Sequence, residues 1–194
     1  MTKAFSGSCE RNQQPILQAL SRLFKESKQV LEIGSGTGQH AVFFAQQLPH
    51  LLWYTSDCKT NHPSIHAWMD EFPSQNLIAP CEFLIGQQPW PTISMDGIFT
   101  ANTTHIMQQS EAKQMMEMIA ANLQKDGFFC QYGPFDVDGY YTSESNREFD
   151  LYLQQNGCGG IRDINELREW GKGLQLVEKI TMPANNFLLV WQAC

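Results

Sequence analysis

No run of lysine and arginine occurs in this 194-residue sequence, and its 13 basic residues are outnumbered by 20 acidic ones. The net charge of −7 argues against unaided binding to nucleic acid, which needs a basic footprint. No apolar run is long enough to cross a bilayer, and Met1-Thr-Lys-Ala-Phe5 lacks the apolar core of a secretory leader. Neither a membrane nor a secretory route is expected. The six cysteines are scattered with no C-x-x-C pair, so they read as reduced cytoplasmic thiols rather than a disulfide frame or a zinc site, and no metal is expected. No repeat, low-complexity tract or linker breaks the chain. A composition 42% hydrophobic and 17% charged is that of one globular domain over residues 1–194.

What the sequence does have is a glycine loop in a telling place. Val30-Leu-Glu-Ile33 reads as a buried strand. It runs into Gly34, Gly36 and Gly38, and Ala41, Phe44, Ala45 and Leu48 then mark one face of a helix. Strand, glycine turn and helix are how an open α/β sheet meets a nucleotide-like ligand. Two of three glycine-loop chemistries fail here. The dinucleotide fingerprint needs Gly or Ala at position 39, which is Gln39; the phosphate loop needs Gly-Lys-Ser/Thr, and no lysine lies between Lys28 and Lys59. An acid, an apolar residue and G-x-G-x-G remain, as Glu32-Ile33-Gly34-Ser35-Gly36-Thr37-Gly38, which is the form of class I S-adenosylmethionine-dependent methyltransferases. A second strand, Leu51 to Ser56, ends in Asp57, roughly 20 residues beyond the loop, where a carboxylate can accept from both ribose hydroxyls.

Apolar spacing predicts a first helix carrying Ile16, Leu17, Leu20, Leu23 and Phe24, with Pro15 in its first turn. A helix follows around Ile65, Trp68, Met69 and Phe72, capped by Asn61. Strands are expected over Cys81–Ile85, Gly97–Ala101 and Phe128–Tyr132. Between the last two, a methionine-rich helix is capped by Ser110 and ends near Gly127. Helices over Ser143–Gln155 and Asp163–Trp170 follow, the second opened by the capping box Asp163-x-x-Glu166. Strands Leu174–Met182 and Phe187–Gln192 flank the turn Pro183-Ala-Asn-Asn186. Alternating strands and helices predict a mostly parallel sheet with an antiparallel C-terminal hairpin. Its ligand cleft then lies at the carboxyl ends of the strands, facing Gly34 to Gln39, Asp57, Asn102 to His105 and Tyr132 to Phe135.

Further motifs carry a family resemblance. Glu10-Arg11-Asn12 stands before the expected first helix. Pro89-Trp-Pro91 follows the third strand, and Asn102 with His105-Ile106 the fourth. After the fifth come Tyr132-Gly-Pro-Phe135, Asp138-Gly139, Ser145-Asn146 and Phe149-Asp150. Gly160-Ile-Arg-Asp163 and Met182-Pro-Ala-Asn-Asn186 complete the set. From Glu10 to Val190 the sequence resembles the methyltransferase-like 26 family. The resemblance implies a single-domain class I methyltransferase (Rossmann-like) fold with a seven-stranded sheet, and S-adenosylmethionine as cofactor; it implies no particular substrate. Many relatives of that class carry an acid after the third strand for the adenine amino group. Phe83-Leu-Ile-Gly-Gln-Gln88 has none, leaving Gln87 or a backbone carbonyl as acceptor.

The expected cofactor contacts are Glu32, Gly34, Ser35, Gly36, Gly38, Asp57, Cys58, Gln87 and Asn102, with Arg11 placed to pair the cofactor's carboxylate or simply to sit on the surface beside Glu10. His105 is the candidate general base, with an acid limb expected near pH 6 to 7, about its reference pKa, or else a structural cleft residue. Tyr132 either orients substrate or belongs to the core. Asn146 and Arg147 lie where substrates enter such folds, or start a helix. Ala101-Asn-Thr-Thr104 lacks the prolines and aromatic of amino-group methyltransferases, so nitrogen methylation of nucleobases or glutamine is not favoured. The expected function is a methyltransferase acting on a small molecule. The alternatives are a non-catalytic cofactor-binding sensor or scaffold, and, disfavoured by Gln39, an NAD-dependent oxidoreductase.

Overall fold

A computed structural model describes residues 3–194; Met1 and Thr2, part of the N-terminal stretch read above for a leader, lie outside the described residues. In chain order the elements are α1 (Gly7–Leu23), β1 (Gln29–Ile33), α2 (Gln39–Gln47), β2 (Leu52–Asp57), α3 (His62–Glu71), β3 (Leu77–Glu82), β4 (Met95–Ala101), α4 (Gln109–Asn122) and β5 (Leu123–Gly133). They continue with the short β6 (Phe135–Asp136), α5 (Glu144–Gln155), the short β7 (Arg162–Asp163), α6 (Ile164–Trp170), β8 (Leu174–Met182) and β9 (Asn186–Ala193).

Seven strands form one sheet in the order β3-β2-β1-β4-β5-β9-β8. The first five run parallel and the β8–β9 hairpin closes the edge antiparallel, as expected. β1 is central, pairing Ile33 with Ser56 on one side and Glu32 with Phe99 on the other. The chain leaves β1 toward β2 and later returns to β4, so the strand order reverses beside β1, where ligands bind in such sheets. Both faces are covered. Ile16, Leu20, Phe44, Trp53 and Phe99 lie in one core, and Leu31, Ile98, Met116, Ile119 and Phe129 in the other. A strand buried on both faces is apolar nearly throughout, as Val30, Leu31 and Ile33 are, with Glu32 the one exception from Val30 to Ile33.

Several boundaries differ from the sequence reading. α1 begins at Gly7, where Ser6 Oγ caps Cys9 N at 3.4 Å, so Pro15 sits in the helix interior and Glu10-Arg-Asn12 lies within the helix instead of before it. Pro15 has no N–H to give the Arg11 carbonyl, a cost that the buried Ile16 and Leu20 face offsets. β3 starts at Leu77 rather than Cys81 and contains Pro80; it is an edge strand, where a missing N–H can face solvent. α4 starts after Gln108, not Ser110, because Glu111 reaches back to accept from Gln108 N at 2.8 Å. It ends at Asn122 instead of near Gly127, and β5 begins directly after it. α6 keeps its Asp163/Glu166 capping box, and the hairpin turn places Ala184 and Asn185 at φ 57° each, the left-handed pair that tight hairpins use.

Candidate functional site

The loop after β1 is fixed before any ligand is considered. Gly34 N and Ser35 N both donate to Ser56 O, at 3.0 and 2.9 Å. Thr100 Oγ1 donates to Ile33 O and Ser56 Oγ to Glu32 O, each at 2.7 Å. The three glycines have left-handed φ of 73°, 56° and 93°. A Cβ on Gly34 would stand 2.8 Å from Thr103 Oγ1, and one on Gly38 2.9 Å from Ile65 Cα; both are packing positions. A Cβ on Gly36 would meet nothing within 4 Å, because it would project into an open cleft.

That cleft has a volume of about 400 Å³, within the range of small-molecule sites. Gly34 and Gly36 form one wall, Asp57, Cys58 and Asn61 the next, and Phe83 to Ile85 with Gln87 the far end. Ala101 to Thr103, Ile106, Met107 and Glu111 close the other side. Asp57, the last residue of β2, accepts from Gly36 N at 2.6 Å through Oδ2, and from Cys58 N at 2.7 Å and Asn61 Nδ2 at 2.8 Å through Oδ1. Three donors leave about one of a carboxylate's four acceptor positions free. Asn102 takes φ 57° and gives its N–H to Tyr132 O at 2.9 Å, turning the chain at the end of β4 into the wall. Two carboxylates, Asp57 and Glu111, line the cleft, and no lysine or arginine does.

Six of the expected cofactor contacts, Gly34, Gly36, Asp57, Cys58, Gln87 and Asn102, thus fall in one wall system. Four do not. Gly38 packs against α3. Ser35 is buried, its Oγ accepting from Ser56 N at 3.2 Å. Glu32 points beneath the loop, because alternation along β1 puts it on the face of Val30, toward Trp53. There its carboxylate takes Trp53 Nε1 at 3.1 Å and a bond from Ser35, and burial pushes its pKa up to about 7. Arg11 is exposed on α1, bonded to Ser8 Oγ at 3.3 Å, one helical turn away.

Neither expected catalytic residue lines the cleft. His105 is buried, its ring 5.4 Å from that of Phe149 in an edge arrangement, and desolvation lowers its pKa to about 4. It is neutral across the neutral range, so an acid limb near pH 6 to 7 does not hold for it. Tyr132 is buried at the end of β5 beside Asn12 and Asn186, and desolvation raises its pKa, so its hydroxyl stays protonated. Asn12 also faces His40 Nε2 across 2.7 Å, and His40 stacks on Phe44, which makes it a packing histidine. Asn146 is buried, donating to Thr142 Oγ1 and Asn185 O, whereas Arg147 is exposed and paired with Glu144. Sequence reading missed Asn61, Ile106, Met107 and Glu111. The Gln108-x-x-Glu111 capping pair was the available signal for the last.

Among the described residues no cluster of His, Cys, Asp and Glu is arranged to hold a metal, and no helix is long and apolar enough to cross a membrane. Residues 3–193 match a family described as a protein of unknown function, DUF938. Among solved structures, the chain resembles an O-methyltransferase family 2 protein from Planctomyces limnophilus in complex with apigenin, with a TM-score of 0.83 at 15% identity over 97% of this chain and 58% of that one. Human N-acetylserotonin methyltransferase in complex with S-adenosylmethionine gives 0.80 at 13% identity, over 96% and 52%. An O-methyltransferase family protein from Burkholderia thailandensis gives 0.80 at 16%, over 93% and 55%. The chain spans little more than half the length of these proteins. The likeness shows the fold alone, a Rossmann-like α/β domain with a mostly parallel seven-stranded sheet and an antiparallel C-terminal hairpin.

Proposed function

The chain belongs to DUF938, a family of unknown function, and we propose that it is an S-adenosylmethionine-dependent methyltransferase acting on a small-molecule acceptor. One observation carries the reading: the cleft at the β1 switch point has an open position over Gly36, Asp57 at the tip of β2, and two carboxylates with no cation. That lining suits an adenosine bearing a positive charge. It opposes a pyrophosphate, so it disfavours the dinucleotide reading on electrostatics as well as on Gln39. The finer resemblance to the methyltransferase-like 26 family belongs to this same proposal. So does a cytoplasmic setting, which suits six free cysteines.

When bound, S-adenosylmethionine would supply an electrophilic methyl on a cationic sulfonium. Asp57 would hold a ribose hydroxyl through its remaining acceptor position, and Gly36 would let the cofactor press on the backbone. Gln87, at the end of the cleft that Phe83 to Ile85 line, or Glu111 from the other side, would accept from the adenine amino group in place of the missing acid. Asn102 would position the cleft wall beside the transferred group. His105 and Tyr132 stand on the acceptor side of this reading. As a neutral imidazole and a protonated phenol they can orient an acceptor, but each is poorly suited to removing a proton. The chain's own contribution is then mainly alignment and exclusion of water.

The non-catalytic sensor draws support from the same fact, that no strong base lines the cleft. Incubation with methyl-labelled S-adenosylmethionine and a metabolite extract separates the two. Label transferred to a small molecule supports the enzyme. Tight cofactor binding with no transfer at any extract concentration supports the sensor.

A further inference from the structure

α5 is a helix with its polarity reversed. Its inward side is polar. Asp150 accepts from Ile161 N at 2.6 Å and from Tyr141 Oη and Gln154 Nε2 at 2.8 Å, and Asn146 donates to Thr142 Oγ1 and Asn185 O. These bonds and buried Leu153 dock the helix, with Phe149 adding its ring edge against His105. Phe149 and Tyr152 instead point outward, 38% and 60% exposed, with their rings 6.5 Å apart and only 15° from parallel. The edge contact of Phe149 with His105 joins this face to the β4–α4 segment. The next residue there, Ile106, is 55% exposed and also part of the cleft wall. Exposed apolar side chains therefore stand on both α5 and the cleft wall.

We propose that Ile106, Phe149 and Tyr152 form a platform for a planar, neutral aromatic molecule, the class of methyl acceptor that the cleft serves. This rests on the methyltransferase reading. Near-parallel rings offer flat faces for offset stacking, which a saturated acceptor cannot use. On α5, Arg147 pairs with Glu144, Asp150 is buried and takes three donors, and the exposed Glu148 adds only negative charge. Nothing on the platform recognises a phosphate or carboxylate. Three side chains also fall far short of the roughly 800 Å² that a protein partner covers. A molecule held on these rings and methylated in the cleft would pass over Ile106, which lines it.

The test uses apigenin and N-acetylserotonin as flat probes and cyclohexanol as the non-planar control, followed by saturation-transfer NMR with S-adenosylhomocysteine present. The wild type should bind both flat probes in preference to cyclohexanol, with shifts in the His105 ring signals. The double variant Phe149→Ala/Tyr152→Ala should bind them about 10-fold more weakly, the scale of two lost ring stacks. Its affinity for S-adenosylhomocysteine should be unchanged. Leu151→Ala, an exposed residue of the same helix, should behave as wild type. Equal binding of cyclohexanol, undiminished binding in the double variant, or equal loss in Leu151→Ala overturns the platform. A dimer that only the double variant dissolves overturns it too, by assigning the face to a second copy. Failure of the wild type to bind S-adenosylhomocysteine is read in a separate titration and counts against the cofactor reading alone.

Discussion

Gly36 N donates to Asp57 Oδ2 across 2.6 Å, tying the middle of the glycine loop to the tip of β2. One carboxylate thus shapes the loop and offers its remaining acceptor position to the cleft. Asp57→Ala should cost on the order of 2–3 kcal/mol of S-adenosylmethionine affinity, through a lost ribose bond and a loosened loop. Asp57→Asn, which keeps acceptor geometry on one oxygen, should lose less. Calorimetric dissociation constants check the order; an unchanged constant in the alanine variant removes the assignment.

Glu32 gives a stability signature. Its folded-state pKa of about 7 lies above the ordinary carboxylate value, so the folded protein holds a proton that the unfolded chain has released between about pH 4.5 and 7. Its contribution is full below that window and is lost as pH rises through it. A shift of this size corresponds to roughly 3 kcal/mol. Glu32→Gln, which preserves an acceptor for Trp53, should therefore gain stability relative to wild type from pH 4.5 to 8. Urea unfolding at both ends measures the difference, and a gap independent of pH contradicts the account.

His105 runs the other way. Its folded pKa of about 4 lies below the reference imidazole, so the stability of its neutral burial is present above pH 6.5 and lost as pH falls toward 4. NMR titration of its ring should find a midpoint near 4 in the wild type. In Phe149→Ala, which uncovers it, the midpoint should move up toward 6.5. Turnover should have no acid limb near pH 6 to 7. A limb there that disappears in His105→Gln would restore the histidine as a proton acceptor.

Much of this was legible because it is local. The β1 strand, its glycines and Asp57 lie within 29 residues, and the pattern that announces them is the pattern that builds them. The hairpin turn and the α6 capping box are equally local. Pro80 hid the start of β3, because its tolerance depends on the strand being an edge, a fact of the assembled sheet. Pro15 shortened the expected α1 for a similar reason: the apolar face of that helix outweighs one missing hydrogen bond. The motif placed Glu32 beside the cofactor, but the pleat of β1 turns it under the loop. Glu111 entered the cleft only once its bond to Gln108 N moved the start of α4 by two residues.

The central claim is that the cleft over Gly36 binds S-adenosylmethionine, and calorimetric titration of the wild type beside Gly36→Val tests it most directly. A Cβ at Gly36 touches nothing in the free protein, so the variant should fold, at the modest cost of a strained left-handed residue. The account predicts one saturable site per chain in the wild type, no measurable binding in the variant, and retained cooperative unfolding in both. Near-normal affinity in Gly36→Val, or a wild type that binds NAD but not S-adenosylmethionine, would contradict it.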